Sequence, residues 1–208
     1  LEIDITAGKL EALPIAISPF YAQKPNYEKL AKNIPSIIAR NLESSGLFNP
    51  LNRSSFIQNA ASMHNENPRF AEWRAINAQA LVSGSVVESE DGRARVEFRL
   101  WDVFTQQQLI GMAYMTTDQN WRRIAHIISD EVYKRITGEN GYFDTRIVYI
   151  AESGPPNRRS KRLAIMDQDG FNHQYLTPEG ELVLTPRFSP TAQEITYMSY
   201  RGGKPRVY

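Results

Sequence analysis

Apolar and polar residues along the first quarter of the chain predict two strands on either side of one helix. Residues 1–6 alternate apolar and polar side chains with the period of two that is typical of a half-buried strand, whereas Leu13–Ile17 is continuously apolar, as for a strand covered on both faces. Apolar residues recur at helical spacing over residues 31–45, where we expect Pro35 in the first turn or at a kink. Residues 48–51 then form a short extended segment, and the order strand, helix, strand predicts a crossover connection.

Three further apolar runs predict the strands of a β-meander: residues 80–87, 94–101 and 109–115. The middle run alternates cleanly, which places Val96, Phe98 and Leu100 on one covered face. Residues 120–136 predict an amphipathic helix with enough apolar length to cover that face.

Two similar segments in the last third of the chain predict a repeat. In residues 145–152 and 194–200 a charged residue, Arg146 or Glu194, is followed by β-branched or aromatic residues and then by a polar one. Tyr149 and Tyr197 occupy the same place in the two segments, 48 residues apart, and a basic loop and a second apolar run follow each. A unit of roughly 40 to 45 residues made only of short strands and turns is typical of a propeller blade, and a meander within a β-sandwich is the alternative.

The helical period ends at residues 138–141, Gly-Glu-Asn-Gly, which we predict to be the boundary between two domains. We expect an α/β domain over residues 1–139 and the start of a β-propeller over residues 140–208. Because fewer than about four blades cannot close a ring, we also expect the chain to be a fragment of a protein with roughly 160 to 200 further residues.

In a propeller the blades surround a central channel, and the innermost strand of each blade lines it. The pattern predicts the innermost strand of the second unit at residues 183–188, with Thr185 and Arg187 on the face opposite Leu184 and Phe188. Packing between blades and binding of a partner both remain open for these four side chains.

Composition excludes several classes of protein. The hydrophobic content of 41% and the charged content of 23% are ordinary for a globular chain, and a net charge of +1 argues against a general polyanion-binding protein. The sequence contains no run of 18 apolar residues, so it predicts no membrane span. The absence of cysteine means that disulfides neither hold the fold nor indicate the compartment.

The sequence predicts no catalytic, cofactor-binding or metal site. His64, His126 and His173 are isolated, and His126 with Asp130 favours a pair on a helix surface over two metal ligands. Asp-Gln-Asp-Gly at residues 167–170 favours a hairpin turn over a calcium loop. No G-x-S-x-G, P-loop or G-x-G-x-x-G motif is present.

Several blocks of sequence resemble the TolB family of the bacterial Tol-Pal system. The blocks are Leu-Glu-Ser-Ser-Gly-Leu-Phe-Asn-Pro-Leu at residues 42–51, and residues 130–147, 167–172 and 186–190. The resemblance runs from residue 13 to the end, and it implies an α/β N-terminal domain with a mixed sheet and two long helices, followed by the first blade and part of the second of a six-bladed β-propeller. Residues 189–192 read Ser-Pro-Thr-Ala where the family generally has Ser-Pro-Asp-Gly, which affects the expected geometry of that turn.

The resemblance implies a non-enzymatic periplasmic adaptor, without a cofactor, that maintains outer-membrane integrity and supports envelope constriction at cell division. Its implied partners are the lipoprotein Pal, TolA of the inner-membrane complex, and colicins that use the Pal site. By position, the segment facing TolA consists of Leu1, Glu2, Ile3, Asp4, Ile5 and Thr6. The residues carried over to the Pal-facing channel rim are Leu184, Thr185, Pro186 and Arg187.

Two other functions remain open. One is a propeller-associated hydrolase whose catalytic domain lies outside this chain, since Ser153-Gly154 has neither an elbow sequence nor a nearby histidine. The other is a nucleic-acid module that uses the basic run at residues 158–162, for which a solvated hairpin loop is the favoured interpretation.

Overall fold

The computed structural model describes residues 11–117 and 119–208, and the chain divides into two compact units between Phe143 and Asp144. The strand predicted at residues 1–6 lies outside the described residues. None of the helices in the described ranges is long and apolar enough to cross a membrane.

A mixed sheet forms the centre of the first unit. Its strands are β1 Leu13–Ile17, β2 Tyr21–Ala22, β3 Phe48–Pro50, β4 Ala80–Glu88, β5 Ala94–Asp102 and β6 Gln108–Thr116. The order is β3-β1-β4-β5-β6, and β2 pairs with β4 beyond the end of β1. The pairs β1–β3 and β1–β4 are parallel, while β4, β5 and β6 are antiparallel. The predicted crossover and the predicted meander are both confirmed.

The α-helices of the described residues cover this sheet: α1 Glu28–Ser44, α2 Ala60–Asn65, α3 Phe70–Ala75 and α4 Trp121–Thr137. The long helices α1 and α4 bury their apolar stripes against the face that carries Val96, Phe98 and Leu100. Trp73 of α3 and Met63 of α2 lie in a second cluster on the other face. Since Ile15 and Ile17 belong to the first cluster and Ala16 to the second, β1 is covered on both faces, as its continuous apolar run predicts.

Pro35 lies well inside α1 and is buried, neither in its first turn nor at its end. Proline has no amide hydrogen, so the carbonyl of Ala31, four residues earlier, cannot receive the usual helical bond. That carbonyl instead accepts the backbone N–H of Phe20 at 3.1 Å, in the connection between β1 and β2. The free carbonyl that a proline creates is therefore used to attach the helix to the strand connection, which explains why the residue is tolerated at this position.

The second unit consists of two antiparallel sheets of three strands each. The first sheet contains β7 Arg146–Ser153, β8 Ser160–Asp167 and β9 Gln174–Tyr175, and the second contains β10 Val183–Phe188, β11 Ile195–Ser199 and β12 Arg206–Val207. Both are propeller-like blades. The turn between β8 and β9 has Gly170 at φ +84, and its amide donates to the carbonyl of Asp167 at 2.9 Å, so the predicted Asp-Gly turn is confirmed.

The repeat detected in the sequence corresponds to a repeated hairpin. Tyr149 lies in β7, which pairs with β8, and Tyr197 lies in β11, which pairs with β12. The two sheets differ at the other edge, because β11 also pairs with β10, whereas β7 has no such neighbour among the described residues. The first sheet thus corresponds to a blade without the strand that β10 provides in the second.

Gly84 of β4 allows the closest approach in the central sheet. A methyl group added there would lie 2.4 Å from the carbonyl oxygen of Glu97 and 2.8 Å from the ring of Phe20. Both neighbours are held in place, the first by the β4–β5 ladder and the second by burial of its ring. Gly111 of β6 provides a contrast, since a methyl group there would meet the end of the flexible Gln108 side chain at 2.5 Å.

We expect Gly84→Ala to destabilise the first unit by about 1–3 kcal/mol, because the backbone of β5 or the ring of Phe20 must move to admit the methyl group. Gly111→Ala is the matched control, with an expected change below about 0.5 kcal/mol, since Gln108 can rotate away. Urea unfolding followed by tryptophan fluorescence measures both values. Equal midpoints for Gly84→Ala and the unsubstituted protein would contradict this account of the close contact.

Candidate partner-binding surfaces

The edge strand β10 contains all four residues predicted for the channel rim. Leu184 pairs with Met198, but the next regular pair joins Arg187 to Thr196. Two residues of β10 therefore stand opposite a single residue of β11, which is the arrangement of a β-bulge. Bulges turn side chains to new directions, so the strict alternation predicted for this strand is interrupted between Leu184 and Arg187.

Thr185, inside this bulge, has a backbone φ of +50, in the left-handed region. In residues 11–117 and 119–208 the other non-glycine residues with positive φ are asparagine or glutamine, namely Asn77, Gln106 and Asn172. A β-branched residue in this region is a real outlier that stores roughly 1–2 kcal/mol of strain, because its Cβ approaches the following carbonyl oxygen. Such strain is concentrated at functional sites in proteins and therefore supports a role for this segment.

Side chains in the bulge are presented to solvent. Thr185, Arg187 and Phe188 are exposed, whereas Leu184 and Pro186 are half-buried. The guanidinium of Arg187 donates one hydrogen bond, to the carbonyl of Pro186 at 3.4 Å, and forms no ion pair within the described part of the chain. An exposed cation next to an exposed phenyl ring is a combination that is enriched at protein interfaces.

Intramolecular contacts occupy much of the basic run at residues 158–162. Lys161 and Arg159 contact the carboxylate of Glu152 at 2.7 and 3.7 Å, and the hydrogen bond from Lys161 is the main cause that lowers the pKa of this carboxyl group. The guanidinium of Arg162 lies 3.4 Å from the centre of the Tyr175 ring. Phosphate binding needs a continuous basic face, and three of these cations already have partners.

The three histidines contact aromatic rings or a side-chain amide. His64 stacks on Tyr21 with ring centres 4.3 Å apart, and His173 packs against the edge of Tyr175 at 4.6 Å. His126 is only 2% exposed, and its Nδ1 lies 2.9 Å from the side-chain nitrogen of Asn41 in α1.

The predicted surface position of the His126–Asp130 pair is wrong, because His126 is buried. Asp130 accepts the backbone N–H of Phe143 at 2.7 Å, while His126 faces α1 inside the core. The two residues are four positions apart on one helix, but this spacing does not distinguish an exposed face from one buried beneath a neighbouring helix.

Sequence reasoning located strand β10 but missed its bulge and the left-handed Thr185. Asparagine and glycine are the usual signals of positive φ, and neither occurs in β10. The threonine before Pro186 instead favours an extended backbone. The segment Leu1–Thr6, predicted to face a second partner, lies outside the described residues and remains a prediction.

Models of one family match both units of the chain. The model of the TolB amino-terminal domain matches residues 1–109, and that of the TolB beta propeller domain matches residues 133–208. Together they follow the order of the two units.

A curated relative and a solved structure agree with these matches. The chain is 56% identical over 208 residues to the Tol-Pal system protein TolB of Paramagnetospirillum magneticum, covering 100% of this chain and 46% of that protein. It is also similar to the crystal structure of TolB from Acinetobacter baumannii, with a TM-score of 0.77 and 27% identity over 95% of this chain and 46% of that one. The chain thus spans about half the length of these relatives.

Replacing the strained residue gives a test of the bulge. Thr185→Gly removes about 1–2 kcal/mol of strain and adds about 0.5–1 kcal/mol of backbone entropy cost, so we expect β10 to become more stable by up to about 1.5 kcal/mol. Thr196→Gly is the matched control, because Thr196 lies in β11 of the same sheet with φ in the ordinary range, and there the expected change is a loss. Native-state amide exchange of β10 and β11 measures both, and an equal loss in the two variants would contradict the strained geometry.

Proposed function

Because this chain belongs to the TolB family, we propose that it is part of a non-enzymatic adaptor of the Tol-Pal system in the periplasm, one that binds Pal and TolA. In this role it maintains outer-membrane integrity and supports envelope constriction at cell division. The observation that supports the proposal most directly is that both units match models of one family in the correct order. The similar protein at 56% identity is itself named a Tol-Pal system protein.

The proposed Pal contact is the bulged part of β10, formed by Leu184, Thr185, Pro186 and Arg187. Three features support it. The strand lies at an edge of its sheet, its backbone is strained at Thr185, and Arg187 is exposed without an ion-pair partner in the described ranges. A fixed bulge presents side chains at little entropic cost on binding, which favours affinity. Colicins that use the Pal site would contact the same residues.

The proposed TolA contact is the segment Leu1, Glu2, Ile3, Asp4, Ile5 and Thr6. Its strict alternation of apolar and polar residues suits addition to the exposed edge of another protein's sheet. In such a complex the backbone supplies the hydrogen bonds, and Leu1, Ile3 and Ile5 would share one face.

A hydrolytic function has no comparable support. A nucleophilic serine must donate its proton to a base. The hydroxyl of Ser129 instead donates to the backbone carbonyl of Ala125 at 2.8 Å. Asn41 lies between Ser129 and His126 and contacts both, so the histidine is not shown to accept the serine proton. Ser153 stands opposite Ser160 in the β7–β8 ladder. Neither serine is therefore arranged as an activated nucleophile in the described residues.

Arg187→Glu tests the Pal surface. We expect the affinity for Pal to fall roughly tenfold, about 1.4 kcal/mol, because the variant places a negative charge at the centre of the proposed contact. The matched control is Arg206→Glu in β12, an exposed arginine at the opposite edge of the same sheet. Calorimetry with purified Pal measures the affinity of both variants. An equal loss of affinity in the two would contradict the proposal that Pal contacts β10.

Deletion of residues 1–6 tests the TolA contact. We expect binding to TolA to be lost, with the affinity for Pal unchanged within about threefold, because the two proposed contacts lie in different parts of the chain. The triple variant Glu2→Ala, Asp4→Ala, Thr6→Ala keeps the apolar face and should retain part of the TolA binding. Simultaneous loss of both partners on deletion would make the segment structural, and failure of the unsubstituted protein to retain Pal would overturn the adaptor proposal.

A further inference from the structure

The last strand of the central sheet has a long free edge. β6 spans nine residues and pairs only with β5 within the described residues. Natural proteins usually protect such an edge with lysine, proline or a covering loop, because its free N–H and C=O groups can pair with another chain. The segment Gln108–Thr116 contains neither lysine nor proline, and Gly111, Met112 and Ala113 at its centre are exposed.

Hollows flank this edge on both faces of the sheet. On the side of α4, a hollow of about 530 Å³ is lined by Ile110 and Met112 of β6 and by Lys134 and Arg135 of the helix. We call it the helix-side hollow.

The second hollow, of about 350 Å³, lies over the small residues Gly111 and Ala113, beside Arg95 and Arg99 of β5. We call it the outer hollow. An added strand points successive side chains to opposite faces, so it would fill both hollows in turn.

The charges around the two hollows select the occupant. Their linings contain four cations, Arg95, Arg99, Lys134 and Arg135, against the two acids Glu97 and Glu131. Glu97 contacts Arg95 at 3.2 Å, which leaves Arg99 in the outer hollow without an ion-pair partner among the described residues, and Lys134 and Arg135 against Glu131 in the helix-side hollow. The remaining positive charge favours an acidic occupant.

The same charges disfavour a second copy of the chain. Pairing of two β6 edges would add a strand without an acidic side chain, so the arginines of neither outer hollow would gain a partner. A chain with acidic residues on the outer face and apolar residues on the helix face would satisfy both hollows.

We propose that the free edge of β6 is a strand-addition site for an extended segment of a partner protein in which apolar and acidic residues alternate. The apolar side chains enter the helix-side hollow against Ile110 and Met112. The acidic side chains lie over Gly111 and Ala113, where the guanidinium of Arg99 can cross the small residues to reach them. This surface belongs to the first unit and does not depend on the proposed contacts of β10 or residues 1–6.

The test uses a blocked seven-residue peptide in which isoleucine and glutamate alternate, labelled for fluorescence anisotropy. We expect saturable binding and slower amide exchange in β6. Arg99→Glu should weaken binding roughly tenfold and should bind the corresponding isoleucine–lysine peptide more tightly than the unsubstituted protein does. Lys29→Glu, at an exposed position near the start of α1, is the matched control and should change neither affinity.

Backbone pairing is tested with two further peptides, N-methylated at the odd or at the even positions. Strand addition requires that one of them loses binding and the other retains it, because only alternate amides of the peptide face β6. Equal affinity of both methylated peptides, or equal affinity for the glutamate and lysine peptides, would overturn the proposal. Tighter peptide binding after deletion of residues 1–6 would identify the chain's own segment as the occupant. This result would likewise overturn the proposal that the occupant is a partner protein. An unchanged thermal unfolding temperature of Arg99→Glu would show that its fold is intact. Tighter binding of the isoleucine–lysine peptide by this variant is a gain that misfolding cannot produce.

Discussion

Burial of β1 and β4 on both faces is the constraint on which the first unit depends. Ile15 packs beneath α1 and α4, and Leu81 packs beneath α2 and α3, so neither strand can move without opening two clusters. The second cluster extends only as far as Trp101 of β5. Beyond it the outer face of the sheet is open to solvent, and the arginines of β5 and the edge of β6 are exposed as a consequence of this uneven covering.

The two long helices are joined by polar contacts as well as by apolar ones. The side-chain nitrogen of Asn41 in α1 lies 2.9 Å from Nδ1 of His126 and donates to the hydroxyl of Ser129 at 2.9 Å, both in α4. Buried polar groups are stable only when they are matched to one another, which makes such contacts sensitive to the relative rotation of the helices. They fix a register between α1 and α4 that apolar packing alone would leave less specific.

The sequence predicted those features that depend on periodic patterns. The alternation in β5 identified Val96, Phe98 and Leu100 as buried, and the apolar stripe of α4 was correctly matched to the face that they form. Features that depend on a single distant contact could not be predicted. Nothing near Pro35 indicates that Phe20 supplies the missing hydrogen bond, since the two residues meet only after the sheet and helix have packed.

The same distinction applies to the candidate surfaces. The alternating pattern of residues 183–188 located β10, and the spacing of Tyr149 and Tyr197 matched β7 to β11, because a blade has a regular length. The bulge and the left-handed Thr185 arise from the pairing with β11, which no local sequence signal specifies. The free edge of β6 required knowledge of strand order, and an apolar run alone gives no position within a sheet.

The bulge of β10 also determines how far this strand can adjust. Removing the extra residue would slide one part of the strand by a single position, and a slip of one residue sends every side chain to the opposite face. Val183, at the start of the strand, is fully buried, so such a slip on its side of the bulge would bring an apolar side chain into water. The burial of Val183 and the bulge together fix the register of β10, so the proposed contact surface has one defined shape before any partner binds.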